Sequence, residues 1–270
     1  MKPIIRWAGS KRQLLPSLRR LTPDKFNRYV EPFCGSACFF FDLEPSSAIL
    51  GDLNPELIMT YKALQRDASL VFECLQRIPK GVGNYYKIRA VDPDQLCDAE
   101  IAARFLYLNR YCFNGIYRTN KQGQFNVPYG SPKRNFHFDY DTILSAAKLL
   151  QGVILVNQDF EDTLKRVDSG DFVYIDPPYA VAKRKIFAEY HPAGFNTKDL
   201  KRLGHSLAQM HDRGITFLIS YADSREAREL LAPWDPRRVR THRHIAGFAY
   251  DRRSAYELLA TNTKELSNGL

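Results

Sequence analysis

The sequence predicts an α/β protein built on a doubly wound, largely parallel sheet, and three features carry that expectation. The chain opens with a strand, a small-residue turn, a helix, a second strand and an acid, the order that begins a nucleotide-binding half-sheet. Near-continuous apolar runs recur later between helical patterns, as parallel strands covered on both faces require. Two closing segments read as a long hairpin at the sheet's edge.

In chain order, the first strand runs through Tyr29-Val30 into the turn Glu31-Pro32-Phe33-Cys34-Gly35-Ser36-Ala37-Cys38. A helix-capable apolar stretch, Phe39 to Leu43, follows. Ser47-Ala48-Ile49-Leu50-Gly51-Asp52 is a second strand ending in a carboxylate, and Asn54-Pro55-Glu56 opens a helix to about Gln65 with Asn54 as its cap. Later strands are Val153 to Val156, Phe172 to Ile175 and Thr216 to Ile219, with helical patterns at Thr197 to His211 and Asp223 to Leu231. The hairpin spans Arg237 to His244 and Ser254 to Thr261.

Composition narrows the function classes. With 270 residues, 44% hydrophobic and 26% charged, the chain can bury a sizeable core and is neither disordered nor membrane-spanning in type. No apolar run approaches the roughly 20 residues that cross a bilayer, and polar residues follow Met1 too soon for a signal peptide, so a cytoplasmic address is expected. Five cysteines without a Cys-x-x-Cys pair suggest reduced thiols, and His242 with His244 lacks the neighbours of a metal site, so no metal is expected. A net charge of +9 favours a polyanionic partner.

The sequence divides into a main domain, 1–57 with 146–270, and an insertion at 58–145. The insertion has a helical pattern from Asp98 to Tyr111 and then a stretch rich in Asn, Gly, Tyr and Phe. From Ile101 to Phe138 there is no acid, while Arg104, Arg110, Arg118, Lys121, Lys133 and Arg134 are basic. Interleaved with Tyr107, Tyr111, Phe113, Tyr117 and Phe125, this block fits a surface laid on a nucleic-acid backbone. A second basic cluster is Lys183-Arg184-Lys185.

Asp176-Pro177-Pro178-Tyr179 is the most specific chemical feature, because it directly follows an apolar strand and so falls at the mouth of the ligand crevice. Two successive prolines hold the chain extended and present rigid carbonyl acceptors. An exocyclic aromatic amine is a poor nucleophile because its lone pair is drawn into the ring. Acceptors on its two hydrogens, the Asp176 carboxylate and the Pro177 carbonyl, would localise that pair, and Tyr179 could stack on a base swung out of a duplex. Asp52 is placed to accept from a ribose diol. Trp7-Ala8-Gly9-Ser10-Lys11 forms a tight turn near the chain's start, and Asp159-Phe160 occupies another crevice position.

Taken together these motifs resemble the Dam-type, or D12, family of site-specific DNA adenine-N6 methyltransferases. Further matches are Asn109-Arg110-Tyr111-Cys112-Phe113-Asn114-Gly115, Arg118, Asn120, Phe125-Asn126-Val127-Pro128-Tyr129-Gly130 and Glu257-Leu258-Leu259-Ala260-Thr261-Asn262, in the family's order. The resemblance implies a Rossmann-like S-adenosyl-L-methionine-dependent sheet with an inserted, mainly helical DNA-recognition domain and a C-terminal β-hairpin. It implies that Trp7, Ala8, Gly9, Lys11, Phe33, Gly35, Asp52, Asp159, Phe160 and Asp176 bind S-adenosyl-L-methionine. Asp176, Pro177, Pro178 and Tyr179 would receive the flipped adenine.

Arg110, Asn114, Arg118, Asn120, Lys121, Lys133 and Arg134 would then contact double-stranded DNA. A cognate restriction endonuclease as functional partner, and a monomer or weak dimer, are the expected associations. Ser10 and Ala37 stand where the family commonly has glycine, which would bring strain if either required positive φ. The rival readings are cytosine-N4 methylation, which also uses a Pro-Pro-aromatic turn, RNA methylation, and an inactive DNA-binding protein. Cytosine-C5 chemistry needs a thiol presented in a Pro-Cys pair, and Cys34 follows Phe33 instead.

Overall fold

A computed structural model describes residues 1–130, 138–179, 195–242 and 254–263. Seven strands form one sheet: β1 Tyr29–Glu31, β2 Ala48–Asp52, β3 Ile154–Asn157, β4 Phe172–Ile175, β5 Thr216–Ala222, β6 Arg237–His242 and β7 Ser254–Thr261. Their order is β3-β2-β1-β4-β5-β7-β6, with the first five parallel and β7 running antiparallel to both its neighbours. β1 pairs with β2 on one side (Val30 opposite Ile49) and with β4 on the other (Val30 opposite Val173). The chain order reverses between β1 and β4, so their carboxyl ends flank the switch point where open α/β sheets bind ligands.

Both faces are apolar, which is why the strands read as runs rather than alternations. Phe172 and Tyr174 of β4 enter one core with Tyr29, Phe39, Leu57 and Tyr61; Val173 and Ile175 enter the other with Phe160, Leu203 and Leu207. Phe39 is fully buried, its ring edge-on to Tyr174 at 4.9 Å, and burial of such a side chain contributes about 2–3 kcal/mol.

Nine helices occur among the described residues: α1 Leu15–Arg20, α2 Cys38–Leu43, α3 Pro55–Arg77, α4 Val82–Ala90, α5 Asp98–Tyr111, α6 Tyr140–Leu150, α7 Phe160–Leu164, α8 Thr197–Asp212 and α9 Arg225–Leu231. No helix among these residues is long and apolar enough to cross a membrane. Asn54 caps α3 as expected, accepting from the Leu57 N–H at 3.0 Å. The helix outruns its predicted end because Asp67, with φ −154°, breaks the spiral and its carboxylate accepts from Leu70 N–H to restart it. Asn196 with Asp199 forms a capping box on α8. β5 extends to Ala222 because β7 pairs with it as far as Glu257. β3 lies one residue later than expected, and α9 begins after Ser224, which caps it.

The aromatic residues expected on a nucleic-acid surface are mostly core. Tyr107, Tyr111, Tyr117 and Phe125 are buried, and Phe113 alone of that set is exposed. Arg104 is also buried, its guanidinium 2.9 Å from Glu56 and donating to the carbonyls of Ile88 and Arg89. Helix periodicity and the following turns send most of these rings inward, and Arg104 goes with them.

Candidate active site

The site is walled by the strand ends of β1, β2 and β4, by the loop at Trp7–Lys11, and by residues at the start of α7 and α8. After β1 the chain turns sharply: Cys34 N–H donates to Gly51 O, and Gly35 adopts φ +45°. A Cβ on Gly35 would stand 2.6 Å from the Trp7 ring, so glycine lets the indole lie on the backbone. Trp7 is also stacked with Tyr117, with centroids 5.9 Å apart. Gly35 N–H donates to Asp52 Oδ2 at 3.0 Å, and Asn54 N–H donates to Oδ1 at 2.9 Å, fixing the carboxylate at the end of β2.

Of the two small-residue departures, Ala37 does require positive φ (+48°), at the start of α2, whereas Ser10 does not. A non-glycine residue in that region costs about 1–2 kcal/mol. In the Gly9-Ser10 turn the left-handed residue is Gly9, at φ +84°.

Phe33, Phe160 and Phe195 form an aromatic group, Phe33 stacked on Phe160 at 5.2 Å. Asp159 caps α7, accepting from Glu161 N–H, and its Oδ1 also takes a 2.6 Å bond from Arg202 of α8. Arg202 additionally pairs with Glu161 and Asp199 and lies over the Phe160 ring at 4.8 Å.

At the end of β4 four side chains meet. Lys11 Nζ stands 2.8 Å from Asp176 Oδ1 and donates to the Tyr179 hydroxyl at 3.1 Å; that hydroxyl donates to Glu257 Oε1 at 2.9 Å. Ser220 donates to Asp176 Oδ1 at 3.3 Å, and Tyr221 donates to the Pro178 carbonyl, which pins the turn. Burial alone would lower the Lys11 ammonium, but Asp176, Tyr179 and Glu257 outweigh it and hold the group well above its usual value. Burial raises Asp176 to about 6 against the opposing pull of Lys11. Burial likewise drives Tyr179 up and Cys38 up to about 12, so neither ionises at neutral pH.

These walls enclose a cavity of about 640 Å³. Every residue expected at the cofactor lines it, and so do Asp176, Pro177, Pro178 and Tyr179. Arg110, Asn114, Arg118, Asn120 and Lys121 do not; Lys133, Arg134 and the cluster at 183–185 lie outside the described residues. Arg110 lies in the last turn of α5, and burial together with the like charge of Arg6 lowers its guanidinium. Asn114 is exposed at φ +55°, and Arg118 donates to Asn126 Oδ1 at 2.7 Å. The Asn120 side chain accepts from Gln122 and Gln124 N–H, closing the turn that carries exposed Lys121.

The family model for D12 class N6 adenine-specific DNA methyltransferases matches residues 7–244, nearly the whole span that carries these walls. The chain belongs to this family. Relatives include Type II methyltransferase M1.LlaDCHI of Lactococcus lactis subsp. cremoris, 33% identical over 97% of this chain and 95% of its own. The retron Ec67 DNA adenine methylase of Escherichia coli is 32% identical over 97% and 92% of the two chains, and a Vibrio cholerae DNA adenine methylase 31% over 99% and 98%.

The reaction of this methyltransferase is transfer of a methyl group to the N6 amino group of adenine in DNA, and its sheet is the fold of S-adenosylmethionine-dependent methyltransferases. Six acids, Glu31, Asp52, Asp159, Asp176, Asp199 and Glu257, face the cavity against two bases, Lys11 and Arg202. Burial holds the Glu31 carboxyl well above the carboxylate range and Arg202 pairs with Asp159 and Asp199, but Asp52, Asp176 and Glu257 still outnumber Lys11, so the balance favours a ligand that carries positive charge. The methyltransferase's cavity therefore suits a methyl donor that carries positive charge. Glu257, Glu31 and Arg202 were not among the site residues expected from sequence. Arg202 is an ordinary polar position on the α8 helix, and Glu31 is the last residue of β1, inside a quoted motif but without a role of its own.

Proposed function

We propose that the donor is S-adenosyl-L-methionine, and that the acceptor is an adenine extruded from double-stranded DNA at a specific short sequence. The observation that carries this is the juxtaposition, in one cavity, of the Asp52 carboxylate at the end of β2 with the Lys11–Asp176–Tyr179 cluster at the end of β4. Asp52 holds the ribose diol; Phe33 and Phe160, with Asp159, flank the donor's adenine; Trp7, Ala8, Gly9, Lys11 and Gly35 form the loop wall around the rest. When bound, the donor supplies an electrophilic methyl group on sulfur.

Asp176 and the Pro177 carbonyl accept the two hydrogens of the target N6 group, concentrating its lone pair on nitrogen, while Tyr179 stacks on the base. Alignment is the main requirement, since the nitrogen attacks directly and no residue is alkylated. The N–CH₃ bond would form as the methyl–sulfur bond breaks, its electron pair staying on sulfur; one N–H bond then breaks, and the proton departs through the Asp176 side of the site. The pyramidal cation formed first is far more acidic than the neutral amine, so no strong base is required.

In this reading 58–145 is the target-recognition domain of the protein, with 1–57 and 146–270 catalytic. Arg110, Asn114, Arg118, Asn120, Lys121, Lys133 and Arg134 contact the duplex, some holding phosphates and some reading base edges. The enzyme acts in the cytoplasm as a monomer or weak dimer, and a restriction endonuclease, where one accompanies it, would be a functional rather than stable partner.

The test is methylation of duplex DNA with labelled S-adenosyl-L-methionine, followed by nucleoside analysis. N6-methyladenine is expected; N4-methylcytosine alone, or label in transcripts but not duplex, would reject the proposal. Asp176→Ala should keep DNA affinity yet lose transfer by about a thousandfold or more. Near-normal turnover in that variant removes Asp176 from the chemistry.

A further inference from the structure

Glu257 is buried to a relative exposure of 5%, lines the cavity, and has one oxygen, Oε2, without a hydrogen-bond partner among the described residues. A carboxylate oxygen is not left so without cost unless something comes to it. Its nearest cation is the Lys11 ammonium at 3.6 Å, beyond hydrogen-bond reach, because Lys11 is drawn instead to Asp176 at 2.8 Å. The other oxygen, Oε1, accepts the Tyr179 hydroxyl.

We infer that Glu257 is a positioning residue for methyl transfer: Oε1 tethers the ring that receives the base, and Oε2 takes the Lys11 ammonium when the target amino group arrives at Asp176. A lysine held at 2.8 Å withdraws electron density from the carboxylate and weakens it as an acceptor for a neutral amine. A vacant anionic oxygen less than 1 Å beyond contact gives the ammonium a place to go without leaving the protein or carrying unpaired charge. Lys11 is long and has three donors, so the exchange is a small rotation of one side chain. The inference rests on Asp176 and Tyr179 being the groups that grip the base.

The groups facing Asp176 are Lys11, Tyr179 and Glu257, with Glu31 of β1, Cys38 of α2 and Tyr174 of β4 behind them. Among these, Glu257 contributes a raising influence and Lys11 a lowering one. With Glu257→Gln the negative charge is gone and Lys11 settles on Asp176. The carboxyl then titrates lower, and the acid limb of the single-turnover rate moves down by about one pH unit. The plateau rate also falls about tenfold, with DNA affinity within threefold. Glu257→Asp keeps the charge but shortens the reach to Tyr179; the limb should stay in place while the plateau falls by a similar factor.

A Glu257→Gln enzyme whose limb coincides with wild type overturns the inference. If that variant does not fold, Glu257→Asp decides: a plateau within twofold of wild type overturns it. Asp176→Ala, measured in parallel, separates the failures. Turnover surviving in Asp176→Ala sinks the base-gripping assignment itself, whereas its loss, alongside an unaltered Glu257→Gln profile, sinks only the role of Glu257.

Discussion

The Lys11 ammonium lies 2.8 Å from Asp176 Oδ1, joining a loop near the chain's start to the turn after β4 by a partly buried ion pair. Burial still wins for the carboxyl, which stands at about 6 against an unperturbed value near 4. The ionised form is the acceptor the amine needs. Activity should therefore be full well above pH 6 and fall as pH drops through that value, by about tenfold per unit in the limiting acid range. Single-turnover rates on preformed ternary complex between pH 5 and 8.5 would show this. A rate flat to pH 5 would contradict the role given to Asp176.

Ser220 offers a finer version of the same measurement. Its hydroxyl donates to Asp176 Oδ1, favouring the charged form, while also bonding Tyr174 at 2.8 Å. Ser220→Ala removes that support, so the acid limb should move up by several tenths of a unit, opposite in direction to Glu257→Gln. Movement downward would mean the hydroxyl serves the protonated form.

Asp52 separates donor binding from chemistry. Its two oxygens order the loop after β1 and the start of α3 through Gly35 and Asn54. Asp52→Asn retains one acceptor but loses charge, and S-adenosyl-L-methionine affinity should fall about tenfold or more with kcat nearly unchanged at saturation. Calorimetric titration beside steady-state kinetics checks it. A drop in kcat with unchanged affinity would put Asp52 at the reacting centre instead.

How much of this was legible follows from which signals are local. β4 and Asp176 were readable because the apolar run Phe172–Ile175 ends where the acid begins, and a parallel strand's carboxyl end is the crevice side. The same rule hid Glu257. It sits in the first half of β7, opposite Ala222 of β5, and reaches the cavity only because β7 runs backwards and brings its early residues to the crevice side. Antiparallel insertion between β5 and β6 is a tertiary fact that no local pattern announces. The buried rings of Tyr107, Tyr117 and Phe125 were misread for a related reason: composition gives neighbours along the chain, and side-chain direction decides neighbours in space.

The Trp7–Gly35 contact predicts a contrast between two glycines that share positive φ. At Gly35 an added Cβ would meet the indole at 2.6 Å, whereas at Gly9 nothing lies within 4 Å. Gly9→Ala should cost only the backbone strain, about 1 kcal/mol. Gly35→Ala adds a collision with a ring already backed by Tyr117, so it should cost about 2–4 kcal/mol and weaken donor binding as well. Denaturant melts of the two variants give the comparison, and equal losses would mean Trp7 is free to move aside.

The buried pair Arg104–Glu56 tests what fastens α3, α4 and α5 together. Arg104 of α5 is 4% exposed and bonds Glu56 in the first turn of α3 as well as the carbonyls of Ile88 and Arg89 at the end of α4; Tyr117 donates to the other Glu56 oxygen at 3.2 Å. Burial pushes the Glu56 carboxyl up, and Arg104 and Tyr117 only partly offset that. Glu56→Ala leaves the guanidinium buried without a counter-charge and should destabilise by about 3–5 kcal/mol. Glu56→Gln keeps the shape and one acceptor, which can stay on Arg104 while the amide N–H2 turns to the Tyr117 hydroxyl, so it should cost less. Because Tyr117 also backs Trp7, the loss in Glu56→Ala should be accompanied by weaker donor binding, read by the same titration used for Asp52. A destabilised variant with unaltered donor affinity would show that the helices and the cofactor wall are fastened independently.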